Sequence, residues 1–273
     1  MKAIISTTYD DKYLWYLPLT TWLWNKLGVG VICFAPKYIY FEEGQEGLDV
    51  AKRISLVEET LNKNNLKCTL HKFDAPEHKE ATYAQCSRLY GACLDLLEDE
   101  VLITGDIDMA MLKIPEYTSG AFNIIGSDLT PPKQYPICYL MATVKEWRDA
   151  FGLNGKSYQE CLDELLSGIE SEHFRGNYWC KDQDEAHNRI SKVTRLEISR
   201  AREGTQFASK RYDRDDAYIL DRLSPDTIDF HLLRPGYEDK NFQIILTILQ
   251  YHYPQEDFGW LVSYNEEYKK LLQ

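Results

Sequence analysis

Between Lys2 and Gly105 the chain alternates short apolar runs with amphipathic stretches, and this alternation limits the folds open to it. KAIIST (from Lys2), VGVICFA (from Val29), LKCTLHKF (from Leu66) and VLITG (from Val101) read as strands. Leu14 to Leu27 reads as an aromatic-rich helix. Leu48 to Leu61 and Tyr83 to Leu97 carry apolar residues at helical spacing, Val50, Ile54, Val57 and Leu61 in one and Cys86, Leu89, Tyr90, Cys93 and Leu97 in the other. Strands that alternate with helices pair in parallel and bury both faces of their sheet under those helices. The predicted fold is therefore α/β, with a mostly parallel central sheet flanked by helices. After Pro115 the pattern loosens, through AFNIIGSD, YPICYLMAT and helices near Lys145 to Phe151 and Tyr158 to Leu166, into TIDFHLLRPGY and a helix from Asn241 to Gln250. A single domain over 1–273 is expected, its first half running to about 115 and a smaller antiparallel or irregular half filling 116–273.

Composition removes several classes of function. With 31 Lys and Arg against 43 Asp and Glu the formal charge is −12, which disfavours nucleic acid and anionic membranes as partners. An acidic chain that holds a phosphorylated ligand is expected to recruit a cation. Seven cysteines, scattered and never spaced as CxxC, imply neither a disulfide framework nor a zinc knuckle. The start lacks the pattern of a signal peptide, and no long apolar run follows, so a cytoplasmic location is expected. No P-loop, no GxGxxG after a strand and no nucleophile motif is present, which leaves the NTPase, dehydrogenase and triad-hydrolase classes without support.

VLITGDIDM places Asp106 and Asp108 on either side of Ile107, just past an apolar strand. On an extended chain residues two apart share a side, so the two carboxylates would converge while Ile107 turns into the core. Ligands of open α/β sheets bind beyond the carboxyl ends of the strands. Paired carboxylates there repel unless a cation lies between them, and hard oxygen ligands suit Mg²⁺ or Mn²⁺. A solvated turn or a helix cap would use the same residue types.

Several segments, in this order, resemble the GT-A glycosyltransferases, a Rossmann-like fold: AQCSRLYGACLDLLEDE, the DxD of ITGDIDM, the acidic CKDQDEAHN, and the His of DFHLLRPG. The resemblance spans most of the chain, to about Gly236. It implies a nucleotide-diphosphate sugar donor, with UDP as the default nucleotide, an Mn²⁺ or Mg²⁺ ion bridging its phosphates, and transfer to an acceptor hydroxyl of a glycan or glycoconjugate. On this pattern Asp108 is the direct metal ligand, Asp106 meets the ribose or the metal through water, and His231 completes the metal site. Arg234 would neutralise the diphosphate, Gln85 and Arg88 would contact the donor beside Asp106, Ile107 and Asp108, and Thr7, Thr8 and Tyr9 would cradle the base. Asp182 and Asp184, at the start of a helix, are the candidate catalytic bases, Asp182 preferred, while Tyr178 and Trp179 with Asp182 would bind the acceptor. Lys192 to Arg214 holds seven basic and three acidic residues and reads either as a lid over the phosphates or as a solvated loop. A sugar nucleotidyltransferase would place a Gly-rich loop after the first strand, where STTYDDKYLWY has no glycine. A sugar hydrolase would leave His231 and Arg234 without a role. A non-catalytic sugar-nucleotide-binding protein on the same fold would not need Asp106, Asp108 and His231 together.

Overall fold

A computed structural model describes residues 1–37, 45–77, 79–125, 134–168, 180–199 and 211–273. In chain order the main elements are β1 (Lys2–Ser6), α1 (Asp11–Leu14), α2 (Tyr16–Lys26), β2 (Gly30–Pro36), α3 (Gln45–Lys63), β3 (Cys68–Phe73), α4 (Glu80–Ser87), β4 (Val101–Thr104), β5 (Met109–Met111) and β6 (Phe122–Ile125). They continue with β7 (Leu140–Thr143), α5 (Val144–Phe151), α6 (Tyr158–Leu166), α7 (Lys181–Ile190), β8 (Leu196–Ser199), β9 (Arg211–Tyr212), β10 (Asp229–His231), α8 (Asp239–His252) and α9 (Gly259–Lys270).

The central sheet has seven strands in the order β3-β2-β1-β4-β7-β6-β8, and only β7 runs against the others. The expected α/β architecture with a mostly parallel sheet is what the chain adopts. Alternation along the strands sends side chains to two apolar layers. Ala3, Ile5, Val31, Cys33 and Ile103 face α2, α8 and α9, whereas Ile4, Ile32, Phe34 and Leu102 face the layer of α4, α5, α6 and α7. A second sheet, in the order β5-β10-β9, pairs β5 antiparallel and β9 parallel to β10. No described helix is long and apolar enough to cross a membrane.

Two local expectations are corrected, and one helix is added. The helix expected over Tyr83 to Leu97 ends as α-helix at Ser87 and tightens into a 3-10 segment, Arg88–Cys93, before Leu94 becomes extended. Gly91 lies so close to β1 that a Cβ would sit 2.9 Å from Ile4 Cδ1, so packing against the strand wins over continuing the helix. The strand expected over TIDFHLLRPGY keeps only Asp229–His231. The closing helix α9 went unread because Tyr264, Asn265 and Tyr268 share its buried side with Leu261.

Aromatic packing fixes the segment that follows β10. Trp15 stacks with Tyr264 at 6.2 Å and meets Phe242 edge-on at 6.1 Å, and the Tyr264 hydroxyl donates to the Trp15 carbonyl at 3.0 Å. Gly236 rests on this layer, where a Cβ would lie 2.3 Å from Trp15 Cζ3 and 2.7 Å from Tyr16 Cε1. Neither ring can retreat, since both are fully buried. Gly236→Ala is therefore expected to cost about 1–3 kcal/mol by overpacking, seen as a lower urea midpoint at unchanged slope.

Candidate functional site

Two aspartates at the carboxyl end of β4 are displayed by a turn that is pinned from below. The Gly105 N–H donates to the Ile4 carbonyl at 2.9 Å, the last link to β1. The chain then turns through Asp106 to Asp108 and re-enters a strand at Met109. Ile107, 5 % exposed, enters the aromatic layer as expected, and its carbonyl accepts from Thr20 Oγ1 at 2.6 Å. Because these residues turn instead of continuing the strand, the two-residue period does not hold. Asp106 faces one set of partners and Asp108 another.

On the first side Arg88 is clasped between two carboxylates. It is 5 % exposed, donates through Nη1 to Asp106 Oδ1, and donates through Nη2 to Asp182 Oδ2 at 3.0 Å. Its Nε and Nη1 also reach the carbonyls of Gln85 and Gly105 at 3.1 and 3.3 Å. Burial opposes the charge on Arg88, but Asp106 and Asp182 outweigh it and the pKa rises. Asp182 is 3 % exposed in the first turn of α7, and its Oδ1 accepts from the Gln183 N–H at 2.8 Å. Its pKa is pushed up to about 6, by burial first and with help from Asp106, while Arg88 pulls the other way. Asp106, at 36 % side-chain exposure, is the open end of this ladder.

On the second side Asp108, 5 % exposed, gathers two guanidinium groups and an imidazole at a single oxygen. Arg214 Nη1 and Arg234 Nε each lie 3.0 Å from Oδ2, and His231 Nε2 lies 3.4 Å from it. Pairing of β5 with β10 creates the contact: Met109 is in register with His231, and the Leu232 N–H donates to the Asp108 carbonyl at 2.9 Å. Arg234 also donates to the Tyr13 hydroxyl and lies over that ring at 5.3 Å. Burial alone would raise the Asp108 pKa, but the hydrogen bond from His231 and the charge of Arg234 outweigh it and hold the carboxyl below its usual range. His231 Nδ1 faces Asp213 Oδ1 at 3.8 Å. Beside this cluster opens a cavity of about 580 Å³ whose wall includes Asp10, Lys12, Tyr13, Arg214, Asp215 and Arg234. A second cavity of about 400 Å³, on the far side of α7, has its charges largely spent on Lys156–Glu164 and Arg189–Glu185 pairs of 2.6 and 2.7 Å.

The donor chemistry of Asp108 and His231 fits a hard divalent cation. One carboxylate and one imidazole nitrogen meet at 3.4 Å, and Mg²⁺ or Mn²⁺ commonly completes its shell with phosphate oxygens and water. Among the described residues no three His, Cys, Asp or Glu side chains cluster tightly enough to hold an ion by themselves. Asp106 is drawn to Arg88 instead of joining Asp108 and His231.

The remaining expected residues fall in three groups. At the end of β1, Thr7 is buried and its hydroxyl donates to the Thr8 carbonyl at 2.9 Å. The Tyr9 hydroxyl donates to the Pro36 carbonyl at 2.8 Å and accepts from Lys72, whose ammonium lies 4.9 Å from the ring centre. Asp184 is half-buried on α7, and Gln85 meets Arg88 through its carbonyl. Tyr178 and Trp179 lie outside the described residues, as does the middle of the basic stretch, 200–210. Sequence reasoning missed Tyr13, one tyrosine among 19, and read Arg214 only as the end of a basic stretch that is either a lid over the phosphates or a solvated loop.

Fold and site together define an α/β chain with paired acidic and basic ladders at the carboxyl ends of its sheet. No protein-family model and no curated protein matches the sequence. Among solved structures the chain is similar to the galactosyltransferase LgtC in complex with donor and acceptor sugar analogs, at 11% identity and a TM-score of 0.48 over 99% of this chain and 95% of that one. It is similar to the glycosyltransferase GlyE of Streptococcus pneumoniae TIGR4 at 12% identity and a TM-score of 0.49, over 98% of this chain but 64% of GlyE. A glycosyltransferase involved in glycosylation of the major capsid of PBCV-1 follows at 12% identity and 0.39, over 85% and 93%.

The raised pKa of Asp182 has a testable sign. The folded chain binds its proton up to about pH 6, the unfolded chain only to about 3.8. Stability from this group is thus present below that lower value and is lost as pH rises to 6. Between pH 4 and 6.5, wild type is expected to lose on the order of 2 kcal/mol relative to Asp182→Asn, measured by urea denaturation of both at each pH.

Proposed function

We propose that this chain is a metal-dependent glycosyltransferase that moves a sugar from a nucleotide-diphosphate sugar, with UDP as the expected nucleotide, to a hydroxyl of a glycan acceptor. The observation that carries this reading is the buried Asp108 carboxylate, with His231 3.4 Å away, beside a cavity walled by Lys12, Arg214 and Arg234 together with Asp10 and Asp215. A carboxylate and imidazole beside these charged side chains would suit a divalent cation with a diphosphate next to it. A glycoside hydrolase needs two carboxylates across a bond and no such anion site.

Asp108 and His231 would hold the divalent ion, which supplies neutralising charge for the departing diphosphate. Arg234, steadied by Tyr13, offers planar donors to the phosphate oxygens. Asp106, held by Arg88, presents its open edge to ribose or sugar hydroxyls. Asp182 spends its carboxylate on Arg88, so it positions that arginine, and Asp184 is the acid assigned to the acceptor hydroxyl. Thr7, Thr8 and Tyr9 are assigned to the base by their place at the end of β1. Tyr178 and Trp179 are assigned to the acceptor on the sequence alone.

The test is release of nucleoside diphosphate from a panel of UDP- and GDP-sugars with Mn²⁺, in the presence of candidate glycan acceptors and of water alone. One donor should turn over, chelation should stop it, and Asp108→Asn or His231→Ala should lower kcat by about 10²–10³-fold. Turnover that survives both chelation and Asp108→Asn would refute the metal-dependent reading.

A further inference from the structure

Three nitrogens compete for one oxygen. Arg214 Nη1 and Arg234 Nε each approach Asp108 Oδ2 at 3.0 Å, and His231 Nε2 approaches the same atom at 3.4 Å. Arg214 donates a hydrogen bond to Oδ2 at 3.0 Å, and Arg234 stands beside the same atom as an ion pair. A cation shared by Asp108 and His231 through Oδ2 therefore competes with Arg214 for that oxygen.

The two arginines are not equally free to leave. Arg234 is held a second time by the Tyr13 hydroxyl and rests over that ring. Arg214 makes its ion pair to Asp108 alone among the described residues. Its side chain is 26 % exposed and lines the cavity beside Asp215. Charge balance points the same way. Arg214, Arg234 and Lys12 face Asp108, Asp213, Asp10 and Asp215, and the two positive charges that a divalent cation adds at Asp108 would be offset by a diphosphate in the adjoining cavity.

We propose that Arg214 is an exchangeable counter-ion that couples the cation site to the diphosphate cavity: it holds Asp108 in the ligand-free chain, yields Oδ2 to the divalent cation, and turns into the cavity to pair with the diphosphate. This inference rests on the cation and diphosphate site proposed above and adds the residue that links the two. Its consequence is positive coupling. Each ligand binds weakly alone, and each tightens the other by one common factor.

Mn²⁺ binding, followed by loss of the free-ion electron paramagnetic resonance signal, would be measured with and without UDP or GDP on wild type, Arg214→Gln and Arg214→Lys. Circular dichroism would verify that the variants fold. In wild type one of the nucleotides should tighten Mn²⁺ by roughly 10–100-fold. Arg214→Gln should bind Mn²⁺ alone about 5–10-fold more tightly, since a competitor is gone, and should lose a similar factor of coupling. Arg214→Lys, which keeps the charge, should retain most of the coupling. Unchanged Mn²⁺ affinity and unchanged coupling in Arg214→Gln would overturn the role of Arg214 and leave the transferase reading standing, whereas a nucleotide that binds wild type without affecting Mn²⁺ would overturn both. Failure of wild type to bind either Mn²⁺ or nucleotide would overturn both.

Discussion

A carboxylate buried to 5 % exposure at the end of a strand has to be answered by positive charge, and Asp108 organises the molecule around that demand. The answer comes from far along the chain. Pairing of β5 with β10 brings His231 and, three residues on, Arg234. Pairing of β10 with β9 brings the segment that carries Arg214. Below them, Trp15, Tyr16, Phe242 and Tyr264 form the layer on which Gly236 rests, and the Tyr16 hydroxyl donates to the Leu233 carbonyl beside Arg234. The small second sheet and the aromatic layer thus hold the cationic end of the site in register with the acidic turn.

The same logic repeats on the other side of the turn. Arg88 would be costly to bury alone, so Asp106 and Asp182 enclose it. That enclosure ties three separate elements together: the end of α4, the turn after β4 and the first turn of α7. It also explains why the α-helix gives way at Arg88. The following 3-10 segment lets Gly91 press on Ile4 while Arg88 points at the turn.

Much of this was legible in the sequence, for physical reasons that can be named. Strands β1, β2 and β4 carry dense apolar runs, the edge strand β3 alternates, and α3 and α6 carry clean helical periodicity, so burial and local preference agree there. The aspartates were legible because they follow a buried strand directly. Their orientation was not, since a turn of Gly105 to Asp108 breaks the two-residue period on which the convergence of Asp106 and Asp108 depended. Arg88 could not be told from a solvated helix residue, because its burial depends on Asp182, 94 positions away. Arg214 looked like one charge among many, and only the β9–β10 pairing singles it out. Tyr13 has no local signal at all.

On the proposed function, Asp108, His231 and the arginines form one cation-dependent diphosphate site. Calorimetric titration of UDP and of GDP into wild type, once with Mn²⁺ and once with chelator, tests it most directly, with UMP and GMP as controls lacking the second phosphate. One nucleoside diphosphate should bind with Kd below about 1 mM, its monophosphate far more weakly, and chelator should abolish the difference. Equal binding of mono- and diphosphate, or no binding of either nucleotide in Mn²⁺, would contradict it.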